Sequence, residues 1–154
     1  GHFGYAFCVA IVAGMTDMLD GMLARLSGKS DASGAVLDST IDRHVDFFLL
    51  AGCALYFRHA VMSLYASLLA IHGWFMISYT TAKAEAMAVR VPRGAMKRTE
   101  RYVYLLLALV ASTFYPGSEG LSPLLVVVWL LAVLTNWSAL MRFRSLFLSA
   151  GNVG

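Results

Sequence analysis

The chain has 154 residues, 59% of them hydrophobic and 14% charged, with a mean hydropathy of +0.69. Soluble domains carry about 25% charged residues, and a chain this short could not hide so much apolar surface, so composition points to a bilayer. The net charge of +3 is small and no nucleic-acid partner is expected; Cys8 and Cys53, each inside an apolar run, read as packing residues and not as a disulfide or metal pair.

Five apolar segments of helical length follow in chain order. The first runs from about Phe3 to Leu26, the second from about Gly34 to Phe57 and the third from about Ala60 to Met87. The fourth spans roughly Arg101 to Tyr115 and the fifth roughly Ser122 to Met141. Each approaches the roughly 20 residues that cross a hydrocarbon core, although the fourth is short and its basic start must sit at the interface. No basic stretch precedes the first apolar run, so there is no cleavable signal-peptide pattern. Pro92-Arg93-Gly94 marks a break between the third and fourth segments, and Gly117, Gly120 and Pro123 mark a loop before the fifth. Trp74, Phe75, Trp129 and Trp137 are expected as lipid-facing or interfacial anchors. His44 and His72 are expected to be structural. The expected fold is an all-α, polytopic transmembrane helix bundle forming a single domain over residues 1–154.

The basic residues orient this bundle. Arg25 and Lys29 lie in the first connection, and Lys83, Arg90, Arg93, Lys97, Arg98 and Arg101 lie at or near the third. Arg142 and Arg144 follow the fifth segment, and all of these fall on one side if the helices alternate in direction. The other side has Arg58 and His59, and no Lys or Arg in 115–123. The positive-inside rule therefore makes the first and third connections cytoplasmic.

Six of the nine acidic residues fall between Asp17 and Asp46. Asp17, Asp20, Gly21 and Ala24 share one helical face, and Asp38, Asp42 and Asp46 line one face of the next helix. Solvated helix ends, or pairing with Arg25, Lys29 and Arg43, would account for Asp31 and Asp46. They account poorly for the other four, because an Asp near mid-helix costs about 2.5–3.5 kcal/mol to insert and clustered carboxylates repel. A divalent metal pair held by Asp17, Asp20, Asp38 and Asp42 removes both penalties, and carboxylate-only ligation suits Mg²⁺ or Mn²⁺ rather than zinc. Gly21, Ala24 and Gly34 read with these acids as a slot for a bulky polar ligand, with Arg25 at its edge able to hold a phosphate. A cation transporter is the competing reading, but it predicts acids spread along a path, whereas these cluster at one depth.

Written out, Asp17-Met-Leu-Asp20-Gly21-Met-Leu-Ala24-Arg25 and Gly34-Ala-Val-Leu-Asp38-Ser-Thr-Ile-Asp42 resemble the signature of the CDP-alcohol phosphotransferases, with all eight fixed positions filled. Three further stretches are similar to the branch of that family that makes phosphatidylinositol phosphate and archaetidylinositol phosphate. They are Asp38-Ser-Thr-Ile-Asp42-Arg43 with Asp46, Ser78-Tyr79-Thr-Thr-Ala82-Lys83-Ala84-Glu85-Ala86, and Gly94-Ala-Met-Lys97-Arg98-Thr-Glu100-Arg101. The resemblance covers roughly residues 1–105, and the family's first membrane helix is expected to be missing from this N-terminally incomplete chain. Lys83 stands where Arg is usual, and Asp31 where Ser or Thr often helps bind the nucleotide.

The resemblance implies transfer of a phosphatidyl or archaetidyl group from a CDP-linked lipid to an alcohol, with release of CMP. Asp42 would be the base that takes the acceptor's proton, and the four aspartates would hold two cations, Mg²⁺ or Mn²⁺. Gly21, Ala24, Arg25, Asp31 and Gly34 would accommodate the CDP part. Lys83, Arg98 and Arg101 would hold a phosphate on the acceptor, which makes inositol 1-phosphate the implied acceptor. Glycerol 3-phosphate and serine are the alternatives, and a positive-inside cluster on anionic lipid is the plainer reading of those three side chains. Arg90, Arg93, Arg142 and Arg144 are assigned to that plainer reading. A homodimer, with its active site on the cytoplasmic side of the cell membrane, completes the expectation.

Overall fold

The structure, a computed structural model, describes residues 3–12, 32–92, 94, 96–115 and 122–151. Within them lie five helices and no strand: α1 Phe3–Val12, α2 Ala32–Tyr56, α3 Val61–Ala86, α4 Arg98–Phe114 and α5 Pro123–Gly151. The all-α expectation holds. The stretch of the first segment after Val12, with its half of the acidic motif, lies outside the described residues.

Two boundaries differ from the sequence reading by more than two residues, each for a local reason. Helix α4 starts at Arg98 rather than Arg101, because the Glu100 carboxylate accepts the Lys97 backbone N–H at 3.0 Å and so satisfies one of the amides left open at a helix start. Helix α5 continues past Met141 to Gly151. Arginine is a good helix former, and no Gly or Pro interrupts the chain between Pro123 and Gly151. Its start is fixed by Ser122, whose Oγ accepts the Leu125 N–H at 3.2 Å, with Pro123 in the first helical position.

Helix α3 packs along α5, α2 against α3, and α4 against α5. The pairings fix directions. Arg43 meets Ser78 and, three residues later, Asp46 meets Trp74, so α2 and α3 run antiparallel. His72 and Leu69 meet Asn136 while Thr81 meets Arg142, so α3 and α5 run parallel. The start of α5 returns to the end of α4 through the Leu124 N–H, which donates to Ser112 Oγ at 3.0 Å. One end of the bundle therefore gathers the N-terminal half of α2, the C-terminal end of α3, the N-terminus of α4 and the C-terminal half of α5.

The burial pattern is that of a protein in lipid. Small hydroxyl side chains are buried (Ser63, Ser67, Thr80, Ser112, Thr135, Ser138), while Val36, Leu37, Phe48, Leu55, Met62, Tyr65, Val133 and Leu148 are exposed. Small residues allow close helix approach where the surrounding solvent is as apolar as leucine. Gly73 shows this most sharply: a Cβ there would lie 2.2 Å from Thr135 Oγ1 and 2.8 Å from the Asn136 backbone nitrogen. Asn136 reinforces the crossing by donating to the Leu69 and Ala132 carbonyls at 2.8 and 2.7 Å, while His72 Nδ1 donates to its Oδ1 at 2.7 Å. His72 is thus structural, as expected.

Val61–Ala86 and Pro123–Ala150 are long and apolar enough to cross a membrane. Helix α2 is 25 residues long but carries Asp38, Asp42, Arg43 and Asp46, and α4 has 17 residues. Both cysteines are free. Cys53 packs in the core, whereas Cys8 is exposed on α1 among the described residues.

Candidate active site

The gathered end of the bundle encloses an open cavity of about 720 Å³. Arg43, Lys97, Arg98, Arg101 and Arg142 line it together with neutral hydrogen-bonding side chains that include Ser39, Thr40, Ser78 and Thr81. Glu85 also lines it, and the five basic side chains outnumber that acid, which leaves a positive potential focused there.

Two aspartates of α2 sit against this wall one turn apart. Asp42 is reached by Arg98 Nη2, 2.8 Å from Oδ1, and by Arg43 Nη2, 3.4 Å from Oδ2. Asp46 is 1% exposed. Its Oδ2 accepts the Trp74 indole N–H at 2.9 Å, and Arg43 Nε and Arg98 Nε lie 3.9 and 3.5 Å from its oxygens. Arg101 is 3% exposed and stacks on Trp74, its guanidinium carbon 4.4 Å from the ring centroid. Arg43 also donates to Ser78, and Arg142 to Thr81. Arg101 Nε and Nη1 and Arg142 Nε are buried without a hydrogen-bond partner among the described residues. Buried guanidinium donors in that state fit an anion.

The sequence-derived residues fall into three groups. Asp17, Asp20, Gly21, Ala24, Arg25 and Asp31 lie outside the described residues. Asp38 and Asp42 lie one turn apart on α2, as the spacing requires, with Asp38 exposed and Asp42 half-buried. Near them, a Cβ on Gly34 would meet nothing within 4 Å among the described residues. Arg98 and Arg101 both line the cavity, brought to one face by the earlier start of α4.

Three expectations are corrected. Lys83 is exposed and is not among the lining residues. It follows the lining residue Thr81 by two positions, about 200° around the helix. Arg142, assigned to an ordinary surface cluster, lines the cavity because α5 continues as helix beyond Met141. Gly94 lets the α3–α4 connection close over it, since a Cβ there would lie 3.2 Å from Arg142 Nη2 and 3.0 Å from Ser138 Cβ. Trp74, grouped with the lipid-facing anchors, is 1% exposed and holds Asp46. Phe75, Trp129 and Trp137 are exposed as expected. Nothing local in the sequence marks Trp74 or Arg142, because their partners lie 28 and 61 residues away.

The sequence profile of CDP-alcohol phosphatidyltransferases matches residues 1–143. The chain belongs to the CDP-alcohol phosphatidyltransferase family. Phosphatidylinositol phosphate synthase of Mycobacteroides abscessus is 32% identical over 155 aligned positions, covering 98% of this phosphatidyltransferase and 69% of the relative. Archaetidylinositol phosphate synthase of Methanothermobacter thermautotrophicus is 34% identical over 99 positions, covering 64% of this chain and 49% of the relative. Among solved structures, Mycobacterium tuberculosis phosphatidylinositol phosphate synthase with CDP-DAG bound superposes with a TM-score of 0.80 at 32% identity. That match covers 90% of this phosphatidyltransferase and 71% of the other chain. The same enzyme in complex with manganese and citrate gives 0.81 at 31% identity, over 92% and 68% of the two chains.

Proposed function

We propose that the protein transfers a phosphatidyl (or archaetidyl) group from a CDP-linked lipid to the hydroxyl of inositol 1-phosphate, releasing CMP, in phospholipid biosynthesis. The observation that carries the acceptor assignment is the cavity in which Arg101 Nε and Nη1 and Arg142 Nε, buried and without a hydrogen-bond partner among the described residues, lie on the same wall as Arg98, itself 2.8 Å from Asp42. An acceptor phosphate on those donors would bring the rest of the molecule toward Asp42. The names of the relatives support the same acceptor, and the CDP-DAG-bound neighbour supports the donor.

In this reading the acceptor oxygen bonds to the lipid-side phosphorus, the diphosphate bridge breaks, and CMP leaves with the bonding electrons. Asp42 takes the hydroxyl proton; Arg98 and Arg43 orient its carboxylate. Arg101 and Arg142 hold the acceptor's phosphate, while Gly34, with Gly21, Ala24, Arg25 and Asp31, leaves room for the CDP part. Asp38 and Asp42 offer only carboxylate oxygens on one helical face, a hard donor set that fits Mg²⁺ or Mn²⁺. With Asp17 and Asp20 they would hold the ions, a pair by the number of carboxylates, whose charge would neutralise the diphosphate. The reading includes a multi-pass topology, a homodimer, and a cavity facing the cytoplasm, where the basic residues concentrate.

The test is product analysis. Membranes containing the protein are incubated with CDP-diacylglycerol, Mg²⁺ and, in turn, inositol 1-phosphate, free inositol, glycerol 3-phosphate and serine. A lipid product and CMP release with inositol 1-phosphate, at least tenfold above the other acceptors, is the expected result. Equal or greater turnover with glycerol 3-phosphate or serine would replace the acceptor.

A further inference from the structure

The motif reading gives Asp46 no role in the chemistry, yet it is buried against side chains from three helices. It belongs to α2, four residues after Asp42, and its side chain is fully enclosed. Trp74 from α3 donates to Oδ2 at 2.9 Å, Arg43 lies 3.9 Å from the same oxygen, and Arg98 from α4 lies 3.5 Å from Oδ1. The other face of Trp74's environment is taken by Arg101, stacked at 4.4 Å. Trp74 supplies a hydrogen bond and the two arginines supply ion pairs without hydrogen-bond contact; a buried charge held in this way resists displacement, because removing one partner leaves the others uncompensated.

We propose that Asp46 is a positioning residue for the acceptor side of the site: anchored by the Trp74 indole, it fixes the Arg98 guanidinium where an acceptor phosphate would meet it. Arg98 Nη2 lies on Asp42, and its Nε faces Asp46. The Asp42 contact involves a residue that also takes part in the chemistry; the Asp46 contact does not, so it can persist through turnover. Trp74 serves both arginines of α4, directly by stacking under Arg101 and through Asp46 for Arg98. The proposal rests on the phosphorylated-acceptor reading above.

Charge alone predicts the opposite effect, which makes the idea testable. A carboxylate beside an anion site repels the anion, so Asp46→Asn acting only through space would tighten acceptor binding and lower its KM. Loss of positioning weakens binding instead. We would measure apparent KM values for inositol 1-phosphate and CDP-diacylglycerol separately in wild type, Asp46→Asn, Trp74→Phe, Arg98→Ala and the Asp46→Asn/Arg98→Ala double variant. Expected are a rise of about tenfold in acceptor KM for Asp46→Asn, a smaller rise for Trp74→Phe, and CDP-lipid KM within about twofold. In the Arg98→Ala background Asp46→Asn adds less than about twofold, because it acts through the missing side chain.

An unchanged or lowered acceptor KM in Asp46→Asn overturns the proposal, as do equal rises for both substrates or full additivity with Arg98→Ala. Should Asp46→Asn fail to fold, Trp74→Phe decides by the same criteria. If Arg98→Ala itself leaves acceptor KM unchanged, the phosphate-pocket reading fails; if Arg98→Ala raises it and Asp46→Asn does not, only the positioning role fails.

Discussion

A guanidinium stacked on an indole and shut away from water keeps its plane but not its hydration. Arg101 is in that position, 3% exposed, with Nε and Nη1 unpartnered among the described residues. Charge-assisted contacts to an incoming phosphate are individually worth about 1.5–3 kcal/mol. Arg101→Ala should therefore raise the acceptor KM roughly ten- to hundredfold and leave CDP-lipid KM within about twofold. Arg101→Lys should recover little of it, since an ammonium neither stacks as a plane nor presents a fork of donors. Arg142→Ala should behave like Arg101→Ala, as no ordinary surface arginine would, and steady-state kinetics with the acceptor varied will check both. Arg98 and Arg101 could be read from the sequence because they sit in a recognisable string. Arg142 could not, since its place depends on how far α5 continues and on the register of α5 against α3.

Helices α3 and α5 cross closely at Gly73. With a would-be Cβ only 2.2 Å from Thr135 Oγ1 and 2.8 Å from backbone of α5, Gly73 has no room for one methyl group. Overpacking of this kind costs about 1–3 kcal/mol, so Gly73→Ala should lower the thermal midpoint in detergent by several degrees. Gly52, in open space on α2, is the control: Gly52→Ala should leave the midpoint unchanged or raise it. Hydropathy made the existence of these helices plain and left their contacts invisible. A glycine in an apolar run reads alike whether it meets lipid or another backbone, and the buried Ser and Thr residues gave no sign of which side they faced. The early start of α4 was legible in principle, since Glu100 stands three residues after Lys97.

Across the whole molecule, apolar surface faces outward along the helices and charge collects at one end. The acids and bases there offset one another only in part, and an all-carboxylate set on α2 is suited to hard cations. Treatment with a chelator should abolish CMP release, and returning Mg²⁺ or Mn²⁺ should restore it; full activity after rigorous chelation would exclude the metal-held diphosphate. The acidic motif and the basic bias of the connections were visible at this scale, because both are sums over many residues.

A cavity placed at one end of the bundle also sets the dimensionality of the reaction. The lipid donor reaches the cavity by lateral diffusion, with its chains still among other chains, whereas the soluble acceptor arrives from bulk water and CMP returns to it. The two substrates are then counted in different units: saturation by the acceptor follows its molar concentration, and saturation by the donor follows its mole fraction in the bilayer. Diluting the donor with inert lipid slows such an enzyme even when the amount of donor per litre is held constant.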